Sequence, residues 1–284
     1  MGHIPPNRLM KKIEALSTEK ADMPVGHMLL KGFLAGALLA YATAFAFKAS
    51  AGFSGGAATL VAALVFPAGF AMIVLLGQEL ATGNFAILRF GLARGQACST
   101  RMFWNWGWVY LGNFAGAMFA GFLLAFVLTT GFSGESGALG ETIIATAHAR
   151  TTAYEHAGAS GWMTAFVKGV LCNWMVALGT VLGLSSRSTV GKVAAVWLPV
   201  SMFFSLELEQ SIVNMFVIPT AMMLGADIGL DQWLIWNQLP VTLGNIVGGA
   251  FLTGLVLHHS HRAEGTRNEA PLLVATVAVT PGRY

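Results

Sequence analysis

The chain has 284 residues, 55% of them hydrophobic and only 10% charged, with 34 glycines. A soluble globular domain carries about 25% charged residues, so this composition excludes a water-solvated fold and calls for an apolar solvent. The formal net charge of +3 is too small to argue for a nucleic-acid partner. Two cysteines, Cys98 and Cys172, supply neither a disulfide framework nor a metal cluster.

In chain order, residues 1–28 form a polar segment without an apolar core, which predicts no cleavable signal. Residues 8–20 within it read as a short amphipathic interfacial helix. Six spans follow, near 29–48, 59–90, 102–130, 161–184, 192–225 and 233–257, the second and fifth broken. A helix needs about 20 apolar residues to cross a bilayer. The stretches 49–78, 102–134, 169–186 and 232–261 contain no Asp, Glu, Lys or Arg. Residues 258–284 form a tail.

Connecting segments alternate in sign. Arg8, Lys11, Lys12 and Lys20 precede span 1; Arg89, Arg94 and Arg101 follow span 2; Arg187 and Lys192 follow span 4; Arg262 and Arg267 close the chain. The segments between are neutral or acidic, with Glu135, Glu141 and Glu155 against Arg150 in one, and Asp227 and Asp231 in another. Positive charge stays on the cytoplasmic side, which predicts an even number of spans with both termini cytoplasmic.

The two halves, about 29–130 and 161–257, resemble each other. Glu79-x4-Asn84 is followed by Leu111-Gly112-Asn113-x-x-Gly116, and Glu209-x4-Asn214 by Leu243-Gly244-Asn245-x-x-Gly248. Lys31-Gly32 opens one half and Lys168-Gly169 the other. Three spans per half make the repeat an inverted one, whose site lies at the midplane where broken helices meet. Glu79, Glu207 and Glu209 lie there. A carboxylate at such depth costs roughly 2.5–3.5 kcal/mol and must face protein or water. Packing against unwound backbone and direct substrate contact both remain open for Glu79 and Glu209. Gly112, Gly116, Gly244 and Gly248 are spaced as helix-packing seams. Asn113 and Asn245 either tie a broken helix to the bundle or offer an amide to a solute.

Gly77-Gln78-Glu79-Leu80-Ala81-Thr82, Leu171-Cys172-Asn173-Trp174-Met175-Val176, Leu198-Pro199-Val200-Ser201-Met202-Phe203, Glu209-Gln210-Ser211-Ile212-Val213-Asn214-Met215 and Val241-Thr242-Leu243-Gly244-Asn245 resemble the formate/nitrite transporter family. The likeness runs from about Lys31 to about Leu257. It implies an all-α integral membrane protein with an aquaporin-like protomer, two broken helices and a separate pore in each chain of a homopentamer. It also implies a bacterial inner (plasma) membrane, transport of formate, nitrite or hydrosulfide, and no cofactor. Carried over by motif, Phe66, Phe70 and Phe203 resemble an outer hydrophobic constriction and Leu80 and Val176 a cytoplasmic one. Thr82, Asn173 and Asn245 resemble polar groups near the pore centre.

The chain departs from the family at Gln210, where relatives carry histidine, the side chain suited to change charge near neutral pH. Gln210 donates and accepts hydrogen bonds but gives up no proton. Glu207 stands where a small residue is usual, and Ala81 where an aromatic is. Arg150 stands near the place of a family lysine, with an insertion at roughly 154–160, and is assigned to anion attraction.

The expected function is passive or proton-linked passage of a small monovalent anion or its acid. A neutral-solute pore for water, glycerol or ammonia is one alternative, though its usual Asn-Pro-Ala pair is absent. A cation-binding pore using Glu207 and Glu209 is another. A metal site at His258-His259-His261 would suggest an enzyme, but its position at the end of the last span favours an interfacial role.

Overall fold

The computed structural model describes residues 2–261; of the expected C-terminal tail, 262–284 lie outside the described residues. Every regular element described is helical, apart from an isolated pairing of His3 with Ser186. Helix α1 (Pro6–Ala21) opens with proline at its first turn, where a missing N–H costs nothing. Its inner face carries Leu9, Met10, Ile13, Ser17 and Lys20 at helical spacing. Just before it, the Ile4 N–H donates to Ser185 O at 2.7 Å and the Arg187 N–H to Gly2 O at 2.9 Å.

The remaining helices are α2 (Val25–Ser50), α3 (Gly55–Val65), α4 (Pro67–Leu75), α5 (Ala81–Ala93), α6 (Ser99–Leu128), α7 (Gly137–Arg150), α8 (Thr152–His156), α9 (Gly158–Leu184), α10 (Thr189–Ser205), α11 (Ser211–Met223) and α12 (Leu230–Ser260). Five stretches are long and apolar enough to cross a membrane: α2, α3 with α4, α6, α9 and α12. Helices α10 and α11 are shorter, with 17 and 13 residues. The connection expected between 130 and 161 is not a loop but holds α7 and α8. These helices are too short and too mixed in composition to register as spans, and they bury Ile143, Ala147, Thr151 and Tyr154. Helix α12 widens into π-helical turns at Leu234–Gln238 and Val247–Leu255.

Two glycine seams set the helix spacing. A Cβ on Gly112 would lie 2.7 Å from Leu29 O, and one on Gly116 would overlap Phe33 O, so α2 and α6 touch through backbone. Likewise, a Cβ on Gly169 would lie 2.7 Å from Val241 O, joining α9 to α12. Large apolar side chains such as Leu30, Phe103, Phe119, Met163 and Phe251 cover the outer faces of these helices. By contrast, α5 is buried continuously from Ala81 to Leu88 and α11 from Ser211 to Ala221. Helices buried on every side belong at the centre of the bundle.

Candidate functional site

Each central helix starts inside the bundle, and its first N–H groups lack intrahelical acceptors. Leu80 and Gln210 hold matching extended conformations before α5 and α11 (φ −114°, ψ 120° and φ −117°, ψ 119°). The Ala81 N–H donates to Asn113 Oδ1 at 2.9 Å, while Asn113 Nδ2 donates to Gly32 O and Glu79 O, both at 2.8 Å. The same set recurs in the second half. The Ser211 N–H donates to Asn245 Oδ1 at 2.9 Å, and Asn245 Nδ2 to Gly169 O at 2.8 Å and Glu209 O at 3.1 Å. Asn113 and Asn245 therefore tie the two central helices to the bundle, and both amides are spent on backbone.

The carboxylates are equally engaged. Lys20 Nζ lies 2.6 and 2.7 Å from the two Glu79 oxygens, and Asn84 Nδ2 donates to Glu79 Oε2 at 2.7 Å. Asn84 also donates to Asn105 Oδ1 at 2.9 Å, and Asn105 Nδ2 returns to Lys20 O at 2.9 Å. Around Glu209, the Tyr154 hydroxyl donates to Oε1 at 2.8 Å, Asn214 Nδ2 to Oε2 at 2.8 Å, and Arg150 Nε lies 3.7 Å from Oε1. Asn214 donates to Asn237 Oδ1 at 2.8 Å, Asn237 Nδ2 to Arg150 O at 2.9 Å, and Arg150 Nη1 to Asn214 Oδ1 at 2.7 Å. Burial and the Glu209 carboxylate push the Tyr154 phenol well above its usual range, so it remains a protonated donor. Buried charge demands pairing of this kind, and each Glu209 carboxylate oxygen already accepts from a donor.

Sequence reading missed Lys20, Asn105, Asn237 and Tyr154. A usable signal existed for the asparagines: Asn105 follows Asn84, and Asn237 follows Asn214, at nearly the same distance. Lys20 reads as one tail cation among several, and Tyr154 lies in the insertion.

Thr82, Asn173, Gln210 and Asn245 come together where α5 and α11 begin. Gln210 Oε1 accepts from the Val213 N–H at 2.8 Å, which fixes the amide and leaves Nε2 toward Thr82 Oγ1, a long 3.4 Å contact. Asn173 Nδ2 donates to Thr82 O at 3.0 Å and Asn245 O at 2.6 Å, while its buried Oδ1 has no hydrogen-bond partner among the described residues. A Cβ on Gly249 would lie 2.6 Å from Asn173 Nδ2, so the wide turn of α12 presses backbone against this centre.

Phe66 and Phe203 meet edge to face with centroids 5.7 Å apart, and Phe204, which the motif comparison passed over, stacks on Phe66 at 4.2 Å. Phe70 is buried one turn along α4, and Leu80 and Val176 are buried beside the polar centre's helices. A cavity of about 430 Å³ opens on the α7 side and is lined by Arg150, Lys168, Phe203, Phe204, Glu207 and Gln210 among others. Arg150 thus serves both the Glu209 network and this vestibule. Among the described residues, no group of three or more His, Cys, Asp or Glu side chains is arranged to hold a metal ion.

Residues 7–259 match the family model described as formate/nitrite transporter. A probable formate transporter of Methanothermobacter thermautotrophicus is 32% identical over 265 residues, 89% of this chain and 96% of that one. The formate channel FocA of Haemophilus influenzae is 34% identical, covering 85% of this chain and 89% of its own. Among solved structures, a pentameric formate channel with formate bound superposes with a TM-score of 0.69 at 27% identity, over 84% of this chain and 98% of that one. An ion channel of the same family gives 0.76 at 23% identity, over 89% and 99%, a likeness of fold.

Proposed function

The chain belongs to the formate/nitrite transporter family, and on that premise we propose how it moves its substrate. It is a membrane channel for small monovalent anions or their acids, not an enzyme, and formate, nitrite and hydrosulfide are the candidate substrates. One observation carries the mechanism: the first turns of α5 and α11 meet at Thr82 and Gln210. The positive ends of two half-helices then converge on one point, which favours a negative charge there.

The path runs from the Arg150 vestibule past Phe203 and Phe66, then over the polar centre toward Leu80 and Val176. Apolar rings exclude bulk water and hydrated ions, admitting a solute that sheds its shell easily. At the centre, Gln210 Nε2 and the Thr82 hydroxyl replace lost hydration by donating to substrate oxygen. Asn173 Oδ1 accepts from a protonated acid. Gln210 transfers no proton, so any proton crosses on the substrate.

The reading extends to architecture. Helices α3, α4 and α5 form the second crossing and α10 with α11 the fifth, giving six crossings in two inverted halves, each preceded by an interfacial helix, α1 or α7. The recurring bonds of Asn113 and Asn245 support this. The channel domain then spans 29–257, and charge alternation favours cytoplasmic termini in a bacterial inner membrane. The pentameric neighbour supports five chains, each with its own pore.

Purified protein in liposomes tests this. Radiolabelled formate should enter, competed by nitrite, and Gln210→Ala should slow entry about 10- to 100-fold through loss of one bond to a charged group. Glycerol or ammonia flux exceeding formate flux would overturn the anion reading.

A further inference from the structure

Glu207 is the one place where the two half-helix junctions differ in charge. It stands two residues before Glu209, as Gly77 stands two before Glu79. Both residues adopt a left-handed backbone, Gly77 at φ +62° and Glu207 at φ +51°. Glycine takes this conformation freely, whereas a side chain strains it. A Cβ on Gly77 would meet nothing within 4 Å, so open space, not crowding, surrounds that position. A strained non-glycine residue retained where glycine serves equally well points to a role for its side chain.

That side chain is exposed and lines the Arg150 cavity. The charged and titratable groups sharing the cavity are Arg150 of α7, Tyr154 of α8, Lys168 of α9 and Glu209. Arg150 is offset by Glu209 and Tyr154 is a neutral donor, which leaves Lys168 against Glu207. At the matching junction of the first half, Lys20 is offset by Glu79 and Gly77 carries no charge. Neither Lys31 nor Lys168 forms an ion pair among the described residues. The cavity therefore holds one unpaired lysine and one unpaired glutamate, Lys168 and Glu207.

Resting on the anion-pore reading above, we propose that Glu207 is a specificity-determining residue that cancels the field of Lys168. It discriminates against charged substrate at the Arg150 mouth while leaving the neutral acid unaffected. A mouth lined by one sign of charge concentrates the opposite ion, and cancelling that charge removes the gain.

The experiment measures initial formate flux in liposomes at pH 7, where formate is almost wholly anionic, at low and high ionic strength. Glu207→Gln removes charge but keeps size and backbone; it should raise flux about 3- to 10-fold at low salt, the gain disappearing at about 0.5 M salt by screening. Glu207→Gly should behave the same way with a relaxed backbone, and covers the case in which the glutamine variant fails to fold. Gly77→Glu should lower flux at low salt. Unchanged flux, or a change equal at both salts, in the folded Glu207 variants overturns the proposal. Absence of formate and nitrite flux in the unmodified protein would instead overturn the anion-pore reading itself.

Discussion

Glu79 is the only charged residue between Met72 and Leu88, and its burial is made tolerable by Lys20 at 2.6 Å. Removing one partner of a buried pair leaves an uncompensated charge, which costs more than the pair contributed. Lys20→Met should therefore destabilise the protein by about 3–5 kcal/mol, seen as a lowered unfolding midpoint in detergent. Lys20→Met with Glu79→Gln should recover most of that loss; if the double variant is no better than the single, the pairing account fails. Phe203→Ala should open the contact with Phe66 and let water through, read as faster osmotic shrinkage of liposomes. The carboxylates were legible in the sequence because charge stands out against apolar neighbours. Their partners were not, since Lys20 is buried only because α1 docks beneath α5, a long-range event that leaves no local mark.

The two non-helical junctions, 76–80 and 206–210, rest on a left-handed residue, Gly77 or Glu207, and an extended Leu80 or Gln210 before a helix start held by a distant asparagine. Relieving the left-handed glutamate by Glu207→Gly should stabilise the protein by about 1–2 kcal/mol, measured as a raised midpoint. The glycine seams allow the opposite test. Gly116→Val should push α6 from α2, because even a Cβ would overlap the Phe33 carbonyl; the expected result is loss of monodisperse protein in detergent. Repeated Glu-x4-Asn and Leu-Gly-Asn motifs made these elements readable, because bonds between fixed offsets leave a periodic trace. Helices α7 and α8 left none: their apolar residues are too few for a span and their polar ones resemble a loop. Asn245 could be placed near the centre from sequence, but the commitment of its amide to Gly169 and Glu209 is a matter of angstroms.

At the scale of the molecule, exposed large apolar side chains surround two buried helices, α5 and α11, whose first turns carry the polar groups, the reverse of a water-soluble protein. Native mass spectrometry should give five chains per particle, and variants that lose substrate flux at Gln210 should keep that number if the pore lies within one chain. Composition alone announced the membrane, and the repeated motifs announced the matching bonds of Asn113 and Asn245. The difference between Gly77 and Glu207 needed the backbone angle as well as the residue type.

The order in which the ribosome delivers these charges has its own consequence. Lys20 is made 59 residues before Glu79, and Arg150 likewise precedes Glu209. In both buried pairs the acidic group is thus made after its basic partner. The nascent chain can hand Glu79 and Glu209 to cations already made, so neither carboxylate has to enter hydrocarbon alone.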